Sequence, residues 1–139
     1  MDKIVFITGA SSGIGAGCAR KFASQGASLI LNARNVNKLS ALKEELEKQY
    51  GAKIYLLPFD VRDRKAATSA LESLPKEWQS IDILVNNAGL VIGTDKEQEG
   101  SLDEWDIVID TNIKALLAMT RLIVPGMVER KRGHIINIG

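Results

Sequence analysis

The chain has almost none of the residues that build disulfide frameworks or metal centres. Among its 139 residues, Cys18 is the only cysteine and His134 the only histidine. A single cysteine excludes an internal disulfide and a thiolate metal site. Because His134 belongs to no recognisable metal-binding motif, we interpret it as a structural residue. We therefore expect no metal site, and a reduced, cytoplasmic setting.

The chain also lacks an excess of charge and a long apolar run. Its net charge is +1 at pH 7, too little for a general attraction to nucleic acid or anionic lipid. The most apolar later stretch, residues 107–128, is interrupted by Asp110, Lys114, Arg121 and Pro125, which argues against a membrane span. The first apolar run starts too near the N-terminus to leave room for a signal peptide. We predict neither a nucleic-acid nor a membrane partner.

What is present is the composition of one soluble domain. Hydrophobic residues make up 45% of the chain and charged residues 25%, enough apolar material for one sizeable core. No repeat, low-complexity segment or linker divides the sequence. We interpret residues 1–139 as a single domain.

Five short apolar runs alternate with helical patterns along the chain. The runs are nearly all apolar, which is typical of parallel strands covered on both faces. They occupy residues 4–7, 29–31, 54–57, 81–85 and 135–138. Since crossovers between parallel strands are right-handed, the alternation predicts a doubly wound α/β sheet with strand order 3-2-1-4-5. Ligands of such sheets bind at the carboxyl ends of the strands.

The helical patterns have recognisable ends. The first two are predicted over residues 16–25 and 37–49, and Gly26 and Gly51 stop them. Asp63 is a candidate cap for the third helix. These signals place a helix in each of the first three crossovers.

The fourth helical region is long, and we expect it to break near Asn112 and kink at Pro125. Trp105, Val108 and Ile109 share one helical face with Asn112. An amide on an apolar stripe needs hydrogen-bond partners. Asn112 is therefore either a buried residue satisfied by neighbouring backbone or a functional one.

A glycine-rich turn, Thr-Gly-Ala-Ser-Ser-Gly-Ile-Gly at residues 8–15, directly follows the first predicted strand. Backbone N–H groups at a helix start are unpaired and carry the positive end of the helix dipole, so they suit a phosphate. The spacing of Gly9, Gly13 and Gly15 differs from the commoner G-x-G-x-x-G fingerprint. The alternative is a tight strand-to-helix connection without a ligand. The turn predicts a dinucleotide site.

Three motifs in this order resemble the short-chain dehydrogenase/reductase family over the whole chain. They are the glycine turn, Asn-Asn-Ala-Gly at residues 86–89 and Asn112. Other segments look most similar to NADP-dependent 3-hydroxy acid (serine) dehydrogenases: residues 60–62, 81–89, 125–127 and 134–139. The resemblance implies a Rossmann fold and hydride transfer between NADP(H) and a small 3-hydroxy acid or carbonyl. A nucleotide triphosphatase is disfavoured, since no Lys-Ser or Lys-Thr pair ends the loop.

The resemblance also implies which residues contact the cofactor. Asp60 would accept from the adenine amino group with Val61 beside the ring, although Asp60 could instead cap a helix in competition with Asp63. Asn86 and Asn87 suit turn chemistry, while in the family their turn also braces the sheet and lines the adenine ribose. The full implied set is Gly9, Ser11, Ser12, Gly13, Ile14, Gly15, Arg34, Asp60, Val61, Asn87, Ala88 and Gly89.

Cofactor choice is predicted from the end of the second strand. Family members that use NAD usually carry an acidic residue at the position of Ala33, where a carboxylate would repel a 2′-phosphate. Ala33 removes that repulsion, and Arg34 offers a charge and several donors. The alternative is a solvated arginine, because Ser12 supplies no second positive charge. We predict NADP.

The catalytic residues of the family are missing from these 139 residues. The resemblance implies a serine, a tyrosine and a lysine four positions after the tyrosine, but Ile54 and Phe59 stand four positions after Tyr50 and Tyr55. In the family those residues and the last two strands would follow position 139. General acid–base catalysis is worth typically 10²–10⁴-fold, so we expect negligible reductase activity from these residues alone.

Two further expectations concern function and assembly. In the family the asparagine matching Asn112 lies at a helix break whose freed carbonyl holds a water, linking the catalytic lysine to solvent. The alternative function is a non-catalytic NADP-binding sensor or assembly module. The helix after Asn112, residues 113–130, packs against a symmetry mate in intact relatives, so a homo-oligomer is expected.

Overall fold

A computed structural model describes residues 1–11, 13–87 and 102–138 of the chain, without the side chains of residues 110 and 111. The strands are β1 (Ile4–Ile7), β2 (Ser28–Leu31), β3 (Ile54–Leu56), β4 (Ile83–Asn86) and β5 (His134–Asn137). The α-helices are α1 (Gly13–Ser24), α2 (Val36–Tyr50), α3 (Arg64–Glu72), α4 (Leu102–Ile109) and α5 (Ala115–Arg130). A 3₁₀ turn spans Lys76–Trp78, and a π-helical turn spans Asp110–Lys114.

The five strands form one parallel sheet in the order β3-β2-β1-β4-β5, as predicted. β1 lies at the centre, where Val5 is in register with Leu29 on one side and Ile83 on the other. Consecutive strands are connected by helical segments, so that all five strands run in the same direction. The carboxyl ends of β1, β2 and β4 therefore meet at one edge of the sheet.

Two apolar cores cover the two faces of the sheet. Successive residues of a strand point to opposite faces, so Val5 belongs to one core and Phe6 to the other. Leu39 and Leu46 of α2 join the first core, and Met119 of α5 joins the second. Fully burying a side chain of this size contributes about 1.5–3 kcal/mol. Burial on both faces explains why the β1 sequence is an unbroken apolar run.

The predicted helix ends are confirmed where the chain reverses. Gly26 has a φ of 84° and Gly51 a φ of 63°, the left-handed backbone that glycine adopts without strain. Asp63 caps α3, because its side chain accepts from Ala66 N–H at 3.0 Å. These contacts satisfy backbone groups that a helix terminus leaves unpaired.

Some predicted boundaries were wrong. α1 begins at Gly13 rather than residue 16, since the glycine turn itself supplies the first helical residues. β4 begins two residues later than predicted, because the Ile81 N–H donates to the Gln79 carbonyl in a turn at 3.0 Å. The other strand ends differ from the prediction by one residue at most.

The long fourth helical region breaks at the predicted place. The π-helical turn Asp110–Lys114 contains Asn112, and α5 then runs through Pro125. The expected apolar face before the break is not covered, since Trp105 and Ile109 are both more than 40% exposed. A π-turn holds an extra residue, which rotates the following helix relative to the preceding one.

At the amino ends of the strands, a carboxylate connects distant parts of the chain. Asp82 Oδ2 accepts from the Ile4 N–H at 2.9 Å, and Asp82 Oδ1 lies 2.8 Å from Arg132 Nε. Arg132 Nη2 also donates to the Asp2 carbonyl oxygen at 3.1 Å. The segment before β4 and the segment before β5 are thereby attached to the N-terminus.

Candidate functional site

The turn between β1 and α1 requires glycine at two positions. Gly9 has a φ of 62° and Gly13 a φ of 60°, values that residues with side chains rarely adopt. Gly13 is also the first residue of α1, and a Cβ there would meet no atom within 4 Å. The first N–H groups of a helix have no partner within it and carry partial positive charge. Among the described residues, none fills the space beside Gly13 at the start of α1, where an anion would meet those N–H groups.

Gly15 is required for close packing. A Cβ on Gly15 would overlap the Gly9 carbonyl oxygen and lie 2.5 Å from Asn87 Nδ2. That amide nitrogen donates to the Gly9 carbonyl at 3.1 Å, and the Asn87 backbone N–H donates to Thr8 Oγ1 at 3.0 Å. Asn87 therefore braces the glycine turn from the carboxyl end of β4.

The end of β2 lies beside the same turn. The Ala10 N–H donates to the Asn32 carbonyl oxygen at 2.8 Å, which joins the two segments. Ala33 is buried, whereas the Arg34 side chain is 61% exposed. The position after Asn32 thus carries no carboxylate, and a guanidinium extends into solvent next to it.

Sequence reasoning missed Asn32 itself. This residue is 1% exposed, and its Nδ2 donates to the carbonyl oxygens of Leu57 and Phe59, each at 3.1 Å. It therefore connects the end of β2 to the loop that carries Asp60. The available signal was a polar residue directly after a buried apolar strand, where a buried amide must find partners.

Asp60 and Asp63, which competed for one cap, have separate roles. Asp63 caps α3, while Asp60 accepts from Arg62. The Arg62 backbone N–H donates to Asp60 Oδ1 at 2.9 Å, and Arg62 Nη2 donates to Asp60 Oδ2 at 2.8 Å. The Arg62 guanidinium holds the pKa of the Asp60 carboxyl below its usual range, against the opposite effect of partial burial. Arg34 Nη1 lies farther away, 4.0 Å from Asp60 Oδ2.

The remaining predicted cofactor contacts differ in accessibility. Ile14, in the first turn of α1, is 59% exposed, whereas Val61 is 7% exposed and packs in the core beneath α3. Ser11 is half-buried in the glycine turn. Three predicted residues lie outside the described part of the chain: Ser12, Ala88 and Gly89.

Asn86 braces the sheet, in accordance with one of its two predicted roles. Its side chain is buried, and Nδ2 donates to Asn137 Oδ1 at 3.1 Å and to Thr120 Oγ1 at 3.2 Å. These bonds join β4 to the neighbouring strand β5 and to α5. Asn86, which leads into Asn87, is therefore held from two sides, by β5 and by α5.

Asn112 is half-buried in the π-helical turn. A turn of this kind interrupts the regular ladder of backbone hydrogen bonds, and such turns are frequent at functional sites. The turn leads directly into α5, and Thr120 of α5 contacts Asn86 at the end of β4. Asn112 thus belongs to the helical segment that packs beside the strand ends.

The described residues contain neither a group of three or more His, Cys, Asp or Glu side chains arranged for a metal ion nor a helix with the length and hydropathy of a membrane span. The features that converge on the carboxyl edge of the sheet are instead an open helix N-terminus, a solvent-exposed arginine and a paired carboxylate. Such a combination suits a ligand with phosphate groups.

Comparisons with known proteins agree with this geometry. The family model for short chain dehydrogenase matches residues 3–139. The NADP-dependent 3-hydroxy acid dehydrogenase YdfG of Escherichia coli O6:H1 is 48% identical over 136 residues, which cover 98% of this chain and 53% of that protein. The crystal structure of serine dehydrogenase from Escherichia coli is similar with a TM-score of 0.89 and 48% identity, covering 98% of this chain and 61% of that one.

The closed form of serine dehydrogenase complexed with NADP⁺ is also similar, with a TM-score of 0.87 and 47% identity, covering 98% of this chain and 53% of that one. The chain thus spans about half the length of the curated relatives that it matches. The family model extends over nearly every residue, and the sheet order and glycine turn agree with it. The chain belongs to the short-chain dehydrogenase family.

Proposed function

We propose that this protein is an NADP-dependent oxidoreductase acting on a small 3-hydroxy acid or the corresponding carbonyl compound. The observation that carries the proposal is the meeting of an open helix N-terminus and an exposed arginine at the carboxyl edge of the sheet. Relatives described as NADP-dependent 3-hydroxy acid dehydrogenase support the same cofactor and substrate class.

The glycine turn would hold the pyrophosphate. Its fit rests on Gly13, where the space that a Cβ would occupy is open and the backbone already has positive φ. Unpaired N–H groups of the first turn of α1 would donate to phosphate oxygens. Gly9, Gly15, Ser11 and Ser12 belong to the same proposed cradle.

The end of β2 would select the 2′-phosphate. Ala33 places no negative charge beside the ribose, and Arg34 is free to form charge-assisted hydrogen bonds with a dianionic group. A hydrogen bond to a charged group contributes about 1.5–3 kcal/mol, which corresponds to roughly 10-fold or more in affinity.

The adenosine would lie between the loop after β3 and the loop after β4. Asp60 and Val61 are proposed on the first side, where partial exposure of the Asp60 carboxylate leaves it accessible to an amino group. Asn87, Ala88 and Gly89 are proposed on the second. Ile14 is exposed in the first turn of α1 and would contact the cofactor from there.

When bound, the nicotinamide supplies or accepts the hydride. The residues of this chain would fix its position through the phosphates, and the π-helical turn at Asn112 would present a backbone carbonyl for an ordered water in proton relay. Proton transfer itself is assigned in the family to a tyrosine with a lysine four positions later, which these 139 residues do not contain. We therefore expect the 139 residues alone to bind cofactor but to have negligible reductase activity.

The second candidate is a non-catalytic NADP-binding sensor or assembly module. This candidate is favoured by the lack of the family's Tyr-x-x-x-Lys pair in these residues, since neither Tyr50 nor Tyr55 is followed four positions later by lysine. The coding sequence after residue 139 separates the two candidates. A serine followed roughly a dozen residues later by Tyr-x-x-x-Lys would support the enzyme, and a stop codon would support the module.

We further propose a cytoplasmic homo-oligomer. The helix after Asn112 exposes Ile113, Leu117 and Val128, with exposed fractions of 54%, 60% and 69%. Exposed apolar side chains of this size on one helix are typical of a protein–protein contact. Sedimentation or light scattering of the wild type and of a Leu117→Glu variant would test this contact.

The cofactor assignment is tested by titrating the intrinsic fluorescence of NADPH and NADH with purified protein. We expect NADPH to bind at least 10-fold more tightly. Ala33→Asp should weaken the binding of NADPH and leave the binding of NADH unchanged, because it introduces a carboxylate that repels the 2′-phosphate. Arg20→Ala, which removes an exposed arginine paired with Glu45, should leave the ratio unchanged. Equal binding of both nucleotides, or of neither, would contradict the proposal.

A further inference from the structure

In the segments after β2 and β3, two arginine side chains share one carboxylate. Asp60 lies between Arg62, at 2.8 Å, and Arg34, at 4.0 Å. Together the three carry one net positive charge. Their arrangement decides which arginine keeps its donors available for a ligand.

Arg62 occupies both oxygens of Asp60. Arg62 Nε lies 3.1 Å from Oδ1 and 3.2 Å from Oδ2, and Nη2 adds a bond of 2.8 Å to Oδ2. The Arg62 backbone N–H donates to Oδ1 as well. Because the two residues are only two positions apart, this pairing closes a very short loop and orders little additional chain.

Arg34 makes a much weaker contact with the same group. Its Nη1 reaches Asp60 Oδ2 only at 4.0 Å, beyond hydrogen-bond distance, and its side chain is 61% exposed. The guanidinium therefore remains close to the carboxylate without being captured by it. Most of the Arg34 side chain is therefore accessible to a partner from solvent.

We propose that Arg62 is a positioning residue for cofactor specificity: by occupying the Asp60 carboxylate it leaves the Arg34 guanidinium to the 2′-phosphate of NADP(H). The inference rests on the proposed function. Without Arg62, Asp60 would pair fully with Arg34, and the phosphate would have to displace a carboxylate. An uncompensated carboxylate near the 2′-phosphate would also repel it.

Protonation cannot take over the role of Arg62. The Arg62 hydrogen bonds lower the pKa of Asp60, and even an ordinary aspartate is ionised near neutral pH. The carboxylate therefore keeps its negative charge at every pH where the protein is expected to work. Arg62 and Arg34 are the two guanidinium groups paired with it among the described residues.

The test measures dissociation constants of NADPH and NADH for four proteins: wild type, Arg62→Ala, Arg64→Ala and the double variant Arg62→Ala/Asp60→Asn. Arg64 is the matched control, since it is an exposed arginine in the first turn of α3. We expect Arg62→Ala to reduce the NADPH preference by about tenfold while NADH affinity changes by less than about twofold. Arg64→Ala should keep the ratio of the wild type. The double variant should restore most of the ratio, because its neutral amide no longer captures Arg34.

If Arg62→Ala weakened the affinities for NADPH and NADH equally, with unfolding curves like those of the wild type, the role of Arg62 would be merely structural and the inference would be overturned. Failure of the double variant to recover the ratio would overturn it too. If Arg64→Ala lowered the ratio as much as Arg62→Ala, general surface charge would be the explanation. A wild type without NADPH preference would instead overturn the proposed function, and this outcome is visible before any variant is made.

Discussion

Replacing Gly15 by alanine should show how much the close packing of the glycine turn contributes to stability, as distinct from the effect of alanine on helix propensity. The new Cβ would overlap the Gly9 carbonyl oxygen and crowd Asn87 Nδ2 at 2.5 Å. Because the first of these atoms is backbone, the turn must move. Inserting a methyl group where there is no room costs about 1–3 kcal/mol, and loss of the Asn87 bond to Gly9 costs about 1 kcal/mol more. The higher helix propensity of alanine offsets up to about 1 kcal/mol of this loss.

The net expectation for Gly15→Ala is a loss of about 1–4 kcal/mol in the free energy of unfolding. Gly17→Ala is the control, since it makes the same chemical change two residues later in α1. A Cβ at Gly17 would meet no atom within 4 Å, so alanine there should stabilise the protein by up to about 1 kcal/mol.

Urea unfolding followed by circular dichroism gives both free energies, and NADPH titration gives the effect on the site. We expect Gly15→Ala to weaken the affinity for NADPH by more than about tenfold, whereas Gly17→Ala should change this affinity by less than about twofold. If both variants were equally stable and bound NADPH like the wild type, the close approach of Gly15 to Gly9 would have no energetic meaning and the reasoning would be refuted.

Three further predictions follow from single contacts. Asp63→Ala removes the N-cap of α3 and should lower the unfolding free energy in urea by about 1 kcal/mol, and an unchanged value would contradict the cap. Asn32→Ala leaves two buried carbonyl oxygens without their donor and should cost about 2–4 kcal/mol in the same assay, so a loss below about 1 kcal/mol would argue against this role. Arg62 lowers the pKa of Asp60, so the stability contributed by ionised Asp60 is complete above the usual carboxyl pKa of about 4 and is lost as pH falls through the lowered value. The stability difference between wild type and Asp60→Asn should therefore shrink in acid, and a difference independent of pH would contradict the pairing.

The fold was predictable because its signals are local and repeated. The apolar runs at the centre of the sheet are buried on both faces, as Val5 and Phe6 illustrate, so no alternation was expected or found there. Glycines with positive φ end α1 and α2 for a steric reason that can be read from residue type. Given these elements, handedness of the crossovers leaves few strand orders.

The parts that sequence did not predict depend on contacts between segments. The place of the break in the fourth helical region was predicted from Asn112, but its π-helical geometry was not, because hydrogen-bond register is set by packing. Asn32 was overlooked since its partners lie 25 and 27 positions later. The sequence left Asp60 open as an adenine contact or as a helix cap in competition with Asp63, and only the contacts of Arg62 and Ala66 identify Asp63 as the cap.

The central position of β1 has a consequence for the order in which the molecule assembles during synthesis. One edge of β1 is completed by β2, which emerges from the ribosome soon afterwards, whereas the other edge waits for β4. The bond from Ile4 N–H to Asp82 spans 78 positions, and the one from Arg132 to Asp2 spans 130. Contacts between residues so far apart in the sequence form late, and they make folding slower. A nascent chain shorter than about 80 residues should therefore present an open hydrophobic strand edge, at which chaperones would be expected to bind.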